Sequence, residues 1–265
     1  MKKKNIFYIL ILIISIAVLC ITGCANNVKL NDCDQKRRDI EKKYGITIYY
    51  GNDEIKEKKN VDFKMCSDVK KIDTILDGID DFFSKLPEGF VEEFTSYDSG
   101  NANRICIVIA NTDYLSVSFD TEGAECWVVN EEDTSMDLAN DLMHSVLYHV
   151  TNTEDRNGFF DYWAFFNPRD FEYGNGKAYE KYLYGNCSNE ECYFLIEETM
   201  ESFYVETEIL FSLLWNEEYI EVFQKSDLPK IEQKIKYICL EMKRMFETVD
   251  ENSYWNRQMK TMFPE

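Results

Sequence analysis

The chain has 265 residues, with 29 Lys and Arg against 49 Asp and Glu, a formal net charge of −20, 45% apolar residues and 15% aromatic ones. That is enough apolar material for a substantial core, and four prolines and eleven glycines exclude a collagen-like, linker-like or disordered chain. So acidic a surface repels phosphate backbones and anionic headgroups, which argues against nucleic acid as a partner and against electrostatic membrane binding.

Lys2, Lys3 and Lys4 precede an almost wholly apolar run over residues 6–21, which is followed by Thr22, Gly23 and Cys24. A basic start, a short apolar stretch and small residues form the pattern of a signal peptide. The run is short for a membrane span, which takes about 20 apolar residues. Residues 21–24 (ITGC) resemble the bacterial lipobox. That resemblance implies diacylglyceryl attachment to the Cys24 thiol, cleavage before Cys24, and anchoring by palmitate-like acyl chains, of which two hold stably where one is marginal. The alternative is an uncleaved anchor with an incidental cysteine. Both place the rest of the chain outside the cytoplasmic membrane. Cleavage would also remove the three lysines, leaving 26 basic against 49 acidic residues, a net charge of −23.

Seven cysteines follow Cys24, and an odd number cannot all pair within one chain. Cys187 and Cys192 bracket a short polar loop and are the expected disulfide. Cys106 and Cys126 lie in apolar runs and read as buried thiols. No C-x2-C pair indicates a structural zinc.

Residues 24–44 are polar and highly charged, which reads as a tether ending in a short helix. Residues 45–50 (GITIYY) alternate as a first strand. In 68–87, Ile72, Ile75, Leu76, Ile79, Phe82, Phe83 and Leu86 recur at the period of an amphipathic helix that Pro87 and Gly89 stop. The runs 104–110, 114–119 and 125–130 read as an antiparallel meander. After them come helical patterns over 136–150, 193–215 and 229–246, with an aromatic-rich irregular stretch over 151–176. Strands first and helices later predict one α+β ectodomain over residues 45–265.

Both histidines of the chain, His144 and His149, fall in the helical segment 136–150. On a regular α-helix, positions five apart diverge by roughly 140°, whereas chelation by one helix needs four apart. The partner position for His149 is 145, a serine.

The pattern Trp163, Asn167, Pro168, Phe171, Tyr173, followed by Phe211 and by the Tyr254-Trp255 pair, resembles a family of bacterial lipoproteins assigned to the zinc metallopeptidases of the gluzincin type. Their motifs run H-H-E-x-x-H, W-x3-N-P-x2-F-x-Y and E-D-R-A-E-x-F. The resemblance covers roughly residues 40–260. It implies a zincin-like α+β fold, with a small antiparallel-rich sheet in the N-terminal half and a mainly helical C-terminal half.

The family's catalytic residues do not carry over. His144 matches the first histidine, Ser145 falls on the first zinc ligand, Val146 on the glutamate base and His149 on the second ligand. Aligning Phe211 puts Val205 and Glu206 on the acidic pair of the third motif. A catalytic zinc needs three protein ligands and a base for its water, so this vestigial set implies no metal and no cofactor; a register shifted by one residue would restore zinc. Glu197, Glu198, Glu201, Glu206 and Glu208 read either as a carboxylate cluster or as a solvated helix face.

Three functions follow: an anchored, catalytically inactive metallopeptidase-like protein that binds a peptide, protein or glycan partner; a hydrolase using a histidine and a glutamate as an acid–base pair; and an adhesion or capture lipoprotein binding through Trp163 and Phe166.

Overall fold

The structure, a computed structural model, describes residues 30–53, 64–97, 104–111, 119–121, 124–130, 134–150 and 160–264. Cys24 and the apolar N-terminal run lie outside the described residues. Among the described residues no helix is long and apolar enough to cross a membrane.

The first element is a helix, α1 (Leu30–Tyr44), which takes up most of the segment read as a tether ending in a short helix. Its Cys33 and Ile40, seven apart and so on one face, are buried. Its charged residues meet the acidic face of α2 (Val69–Ser84): Lys36 pairs with Asp73 at 2.9 Å and Asp77 at 2.6 Å, and Lys43 with Asp80 at 2.9 Å. The charge that suggested a solvated tether is complementary to its neighbour. α2 starts where Asp68 accepts the amides of Lys70 and Lys71, and it buries the apolar positions read from its periodicity.

The sheet is mixed rather than a meander. Strand β1 (Thr47–Tyr49) runs parallel to β3 (Arg104–Asn111), after a crossover through β2 (Lys64–Met65), α2 and α3 (Phe90–Ser96). β4 (Phe119–Thr121) goes to the edge, and β5 (Ala124–Val129) returns antiparallel to it and parallel to β3, giving the order β1-β3-β5-β4. β2 lies antiparallel against the end of β3. The physical reason is burial on both faces. Ile105, Ile107, Ile109, Trp127 and Val129 enter the main core, while Cys106, Val108, Ala110, Cys126 and Val128 form a second cluster on the other face. Continuous apolar runs of this kind suit parallel strands, whereas a meander with one wet face alternates.

Cys106 and Cys126 are register partners on neighbouring strands, with Cα atoms 4.6 Å apart, and they form a disulfide. This corrects their reading as buried thiols.

The helical half begins with α4 (Thr134–Ser145), packed between β5, α2 and α5 (Phe203–Ser212). Its buried Asp141 and Asp137 accept the amides of Val128 and Asn130 at 3.0 and 3.3 Å, fixing the helix to the strand. Gly78 lets α2 approach α4, since a Cβ there would sit 2.9 Å from the Thr134 Cβ. The helix expected over 193–215 is helical only from Phe203, after a 3-10 turn over Glu197–Met200, because Ser202 caps α5 by accepting the Val205 amide. The chain ends with α6 (Glu217–Gln224), α7 (Pro229–Met245) and α8 (Tyr254–Met262). Tyr254 and Trp255 pack into the core, Tyr254 on Trp215 and Trp255 on Phe90 and Phe211.

Candidate functional site

α4 ends at Ser145 and passes into a π-helical turn over Val146–Val150. The change of helix removes the basis of the spacing argument for the histidines, because i→i+5 hydrogen bonding brings positions five apart toward one line. His149 lies in this turn, and its side chain is outside the described residues. Ser145 is buried, donates to the Asp141 carbonyl at 2.7 Å and accepts the Trp127 indole N–H at 3.1 Å. Val146 is fully buried in the core. Both positions serve packing.

His144 points toward α5. Its Nδ1 lies 2.7 Å from Oε1 of Glu208, whose side chain is only 10% exposed. The imidazole stacks on Tyr148 at 4.3 Å, and Tyr148 stacks on Tyr204 at 4.7 Å. A histidine–carboxylate contact thus exists, but with Glu208 rather than Glu206. Two apart on α5, these glutamates face opposite sides of the helix.

Glu206 is buried on the side facing α7. Its Oε1 contacts the ammonium of Lys234, and its Oε2 accepts from the Tyr173 hydroxyl at 2.5 Å and the Trp163 indole at 3.1 Å. Trp163 and Asn167 also donate to the Tyr173 oxygen, at 2.8 and 3.2 Å. Lys234 donates in addition to the Tyr193 carbonyl at 2.9 Å and lies over the Phe194 ring at 4.4 Å. Trp163 and Tyr173 of the loop motif therefore converge on the one carboxylate taken from the acidic motif, with Asn167 held behind them on the Tyr173 oxygen. Burial pulls the Lys234 ammonium below the ordinary lysine range, against the opposing pull of Glu206. Burial, and then Glu206, push the Tyr173 phenol up, so the phenol stays protonated and donating.

Lys234 is the residue that the reading of the sequence missed. Ile231, Lys234, Ile235, Ile238 and Met242 share the apolar stripe of α7, so a lysine at a core position was the available signal.

The remaining expectations divide. Glu197, Glu198 and Glu201 are exposed, so no carboxylate cluster forms with Glu206. Trp163 is buried and Phe166 packs on Tyr237, whereas among the described residues of this stretch, which begin at Phe160, the exposed rings are Tyr162 and Phe165, stacked at 6.0 Å. Cys187 and Cys192, the pair expected to bond, are both free thiols in this structure.

The residues do not fit a catalytic zinc. Ser145 and Val146 are committed to packing, and both oxygens of Glu206 are already engaged, one of them by a cation that would repel a second. Among the described residues no group of three or more His, Cys, Asp and Glu is placed to hold a metal ion.

No family model and no curated protein matches the sequence. Among solved structures, a protein from Bacteroides caccae assigned as a zinc-binding metallo-peptidase is similar in fold, with a TM-score of 0.52 and 10% identity over 91% of this chain and 94% of that one. The chain has a metallopeptidase-like α+β fold.

Proposed function

We infer that this chain is an extracytoplasmic lipoprotein, anchored through Cys24, whose metallopeptidase-like domain has lost zinc-dependent hydrolysis and acts by binding a peptide, protein or glycan partner. The observation that carries the reading is the contact between Lys234 and Glu206. A buried carboxylate neutralised by an ammonium and sealed by Trp163 and Tyr173 is a structural group, with both oxygens already engaged and a cation standing where a metal would have to approach. Ser145 and Val146 support the same conclusion from the opposite helix, where a ligand and a proton acceptor would stand.

The test is metal content and peptide cleavage by the full-length protein in detergent. Substoichiometric zinc and no chelator-sensitive cleavage are expected; one tightly held zinc per chain, with cleavage abolished by a chelator, overturns the reading. For the anchor, Cys24→Ser is expected to abolish incorporation of labelled palmitate and to release the protein from the membrane fraction.

A second reading rests on the 2.7 Å contact between His144 and Glu208. A carboxylate that orients an imidazole through Nδ1 is the arrangement of a general base. It predicts a chelator-insensitive hydrolysis lost in His144→Gln; absence of hydrolysis across ester, amide and glycoside substrates removes it.

A further inference from the structure

Residues 182–194 form a loop whose ends are joined. The amides of Tyr193 and Phe194 both donate to the Tyr182 carbonyl, at 3.0 and 3.3 Å, and the Tyr184 amide donates to the Phe194 carbonyl at 2.8 Å. Leu183 and Phe194 pair as an isolated bridge. Inside this neck Cys187 and Cys192 flank a tight 3-10 turn over Asn189–Glu191, and both are free thiols. Each sulfur also faces a carbonyl of the neck, Cys187 that of Leu183 at 3.3 Å and Cys192 that of Phe194 at 3.5 Å. Cys187 is half-buried and Cys192 buried, so an oxidant reaches the pair from one side.

The next two residues are the wall of the Glu206 site: the Tyr193 carbonyl accepts from Lys234, and the Phe194 ring lies beneath the ammonium. We propose that Cys187 and Cys192 form a dithiol–disulfide couple that staples this loop and thereby fixes the wall around Lys234. That the couple works in an oxidising compartment rests on the lipoprotein reading above; its chemistry does not.

Closure takes two electrons and two protons from the thiols. The acceptor is a disulfide, either a small molecule or a protein, which leaves as two thiols. The accessible Cys187 attacks one sulfur of that disulfide as a thiolate and expels the first thiol. Cys192 then attacks the Cys187 sulfur in the mixed disulfide and expels the second. Burial pushes the Cys192 thiol up to about 12, so little thiolate is present at neutral pH and the second step is slow. That slowness suits a lock set once after folding rather than a fast redox catalyst.

The experiment equilibrates full-length protein in detergent with glutathione buffers from fully reduced to fully oxidised, then alkylates free thiols and maps the peptides by mass. Cys187 and Cys192 are expected to lose alkylation together and to appear as one peptide linked by a 187–192 bond. The oxidised form should unfold about 5 °C higher than the reduced form, and the amides of Tyr193 and Phe194 should exchange more slowly. The Cys106–Cys126 bond also responds to the buffer, so peptide mapping follows the two bonds separately, and Cys187→Ser with Cys192→Ser should remove only the step in unfolding temperature that tracks the 187–192 bond. Persistence of both thiols in fully oxidised buffer, or a stable glutathione adduct on Cys187 alone, overturns the proposal. If the bond closes in buffer but the protein taken directly from cell membranes is a dithiol, the couple stands and the extracytoplasmic placement fails.

Discussion

The Glu206 carboxylate and the Lys234 ammonium are in direct contact, with side chains 1% and 0% exposed. Two charges so far from water are held only because every polar atom of the pair has a partner: Tyr173 and Trp163 on the carboxylate, Tyr193 and the Phe194 ring on the ammonium. The pair ties α5 to α7 and, through Trp163 and Tyr173, holds the loop that carries them against both helices.

Removing only the cation exposes that dependence. Lys234→Met should cost about 3–5 kcal/mol, because it leaves Glu206 charged and unpaired in the core. Adding Glu206→Gln removes the charge while keeping an oxygen for Tyr173 and Trp163, and should recover about 2 kcal/mol. Urea denaturation with an unchanged slope is the measurement. Additive losses in the double variant would mean that the two side chains are energetically independent.

Val146→Glu would place a carboxylate where the family resemblance puts the proton acceptor. Val146 is fully buried on the apolar side of the π turn, so the substitution should destabilise by about 3–5 kcal/mol rather than create activity. Chemical denaturation and zinc content of the variant check this together, and a stable variant that gains zinc would contradict the assignment of this position to the core.

The helices with clean periodicity, 69–84 and 229–245, were readable because one apolar stripe sufficed to define each. The loop residues Trp163, Asn167 and Tyr173 were readable as a pattern, but the two donors Trp163 and Tyr173 meeting on Glu206 were not, since that convergence depends on α5 and α7 lying side by side. Parallel pairing of β3 with β5 left its trace in the unbroken apolar runs, which fit strands wet on neither face. The length and packing of α1 were hidden because Lys36 and Lys43 look solvated until the acidic face of α2 is opposite them. The Cys106–Cys126 bond follows from register, which no spacing in the chain encodes.

Glu93 supplies the acid dependence. Burial pushes its carboxyl up, but the Thr248 amide, the Glu247 amide and the Tyr97 hydroxyl more than offset this and hold it below the ordinary value of 4.5. A carboxyl lowered on folding stabilises above its unfolded pKa, and the contribution is lost as pH falls through the folded one. Glu93→Gln should therefore lose about 1.5 kcal/mol at pH 7. The difference from the parent should shrink below pH 4.5 and vanish under the folded pKa. Denaturation at stepped pH reads it directly, and a gap that widens toward acid would reverse the sign argued here.

Tyr162 and Phe165 separate binding from folding on the same short turn. They are 59% and 81% exposed and touch each other, whereas their neighbour Trp163 is buried with its indole on Glu206 and Tyr173. A pair of solvent-facing rings adds little to stability, so Tyr162→Ala with Phe165→Ala should shift unfolding by no more than about 0.5 kcal/mol. Trp163→Ala, which leaves a cavity and strips a donor from Glu206, should cost about 3–5 kcal/mol. Stacking on a sugar or peptide ring is the one contribution the exposed pair can make to a partner. Calorimetric titration against soluble glycans and peptides should accordingly give binding that disappears in the double variant at unchanged stability. Retained binding would move the contact surface to the His144, Tyr148 and Tyr204 stack.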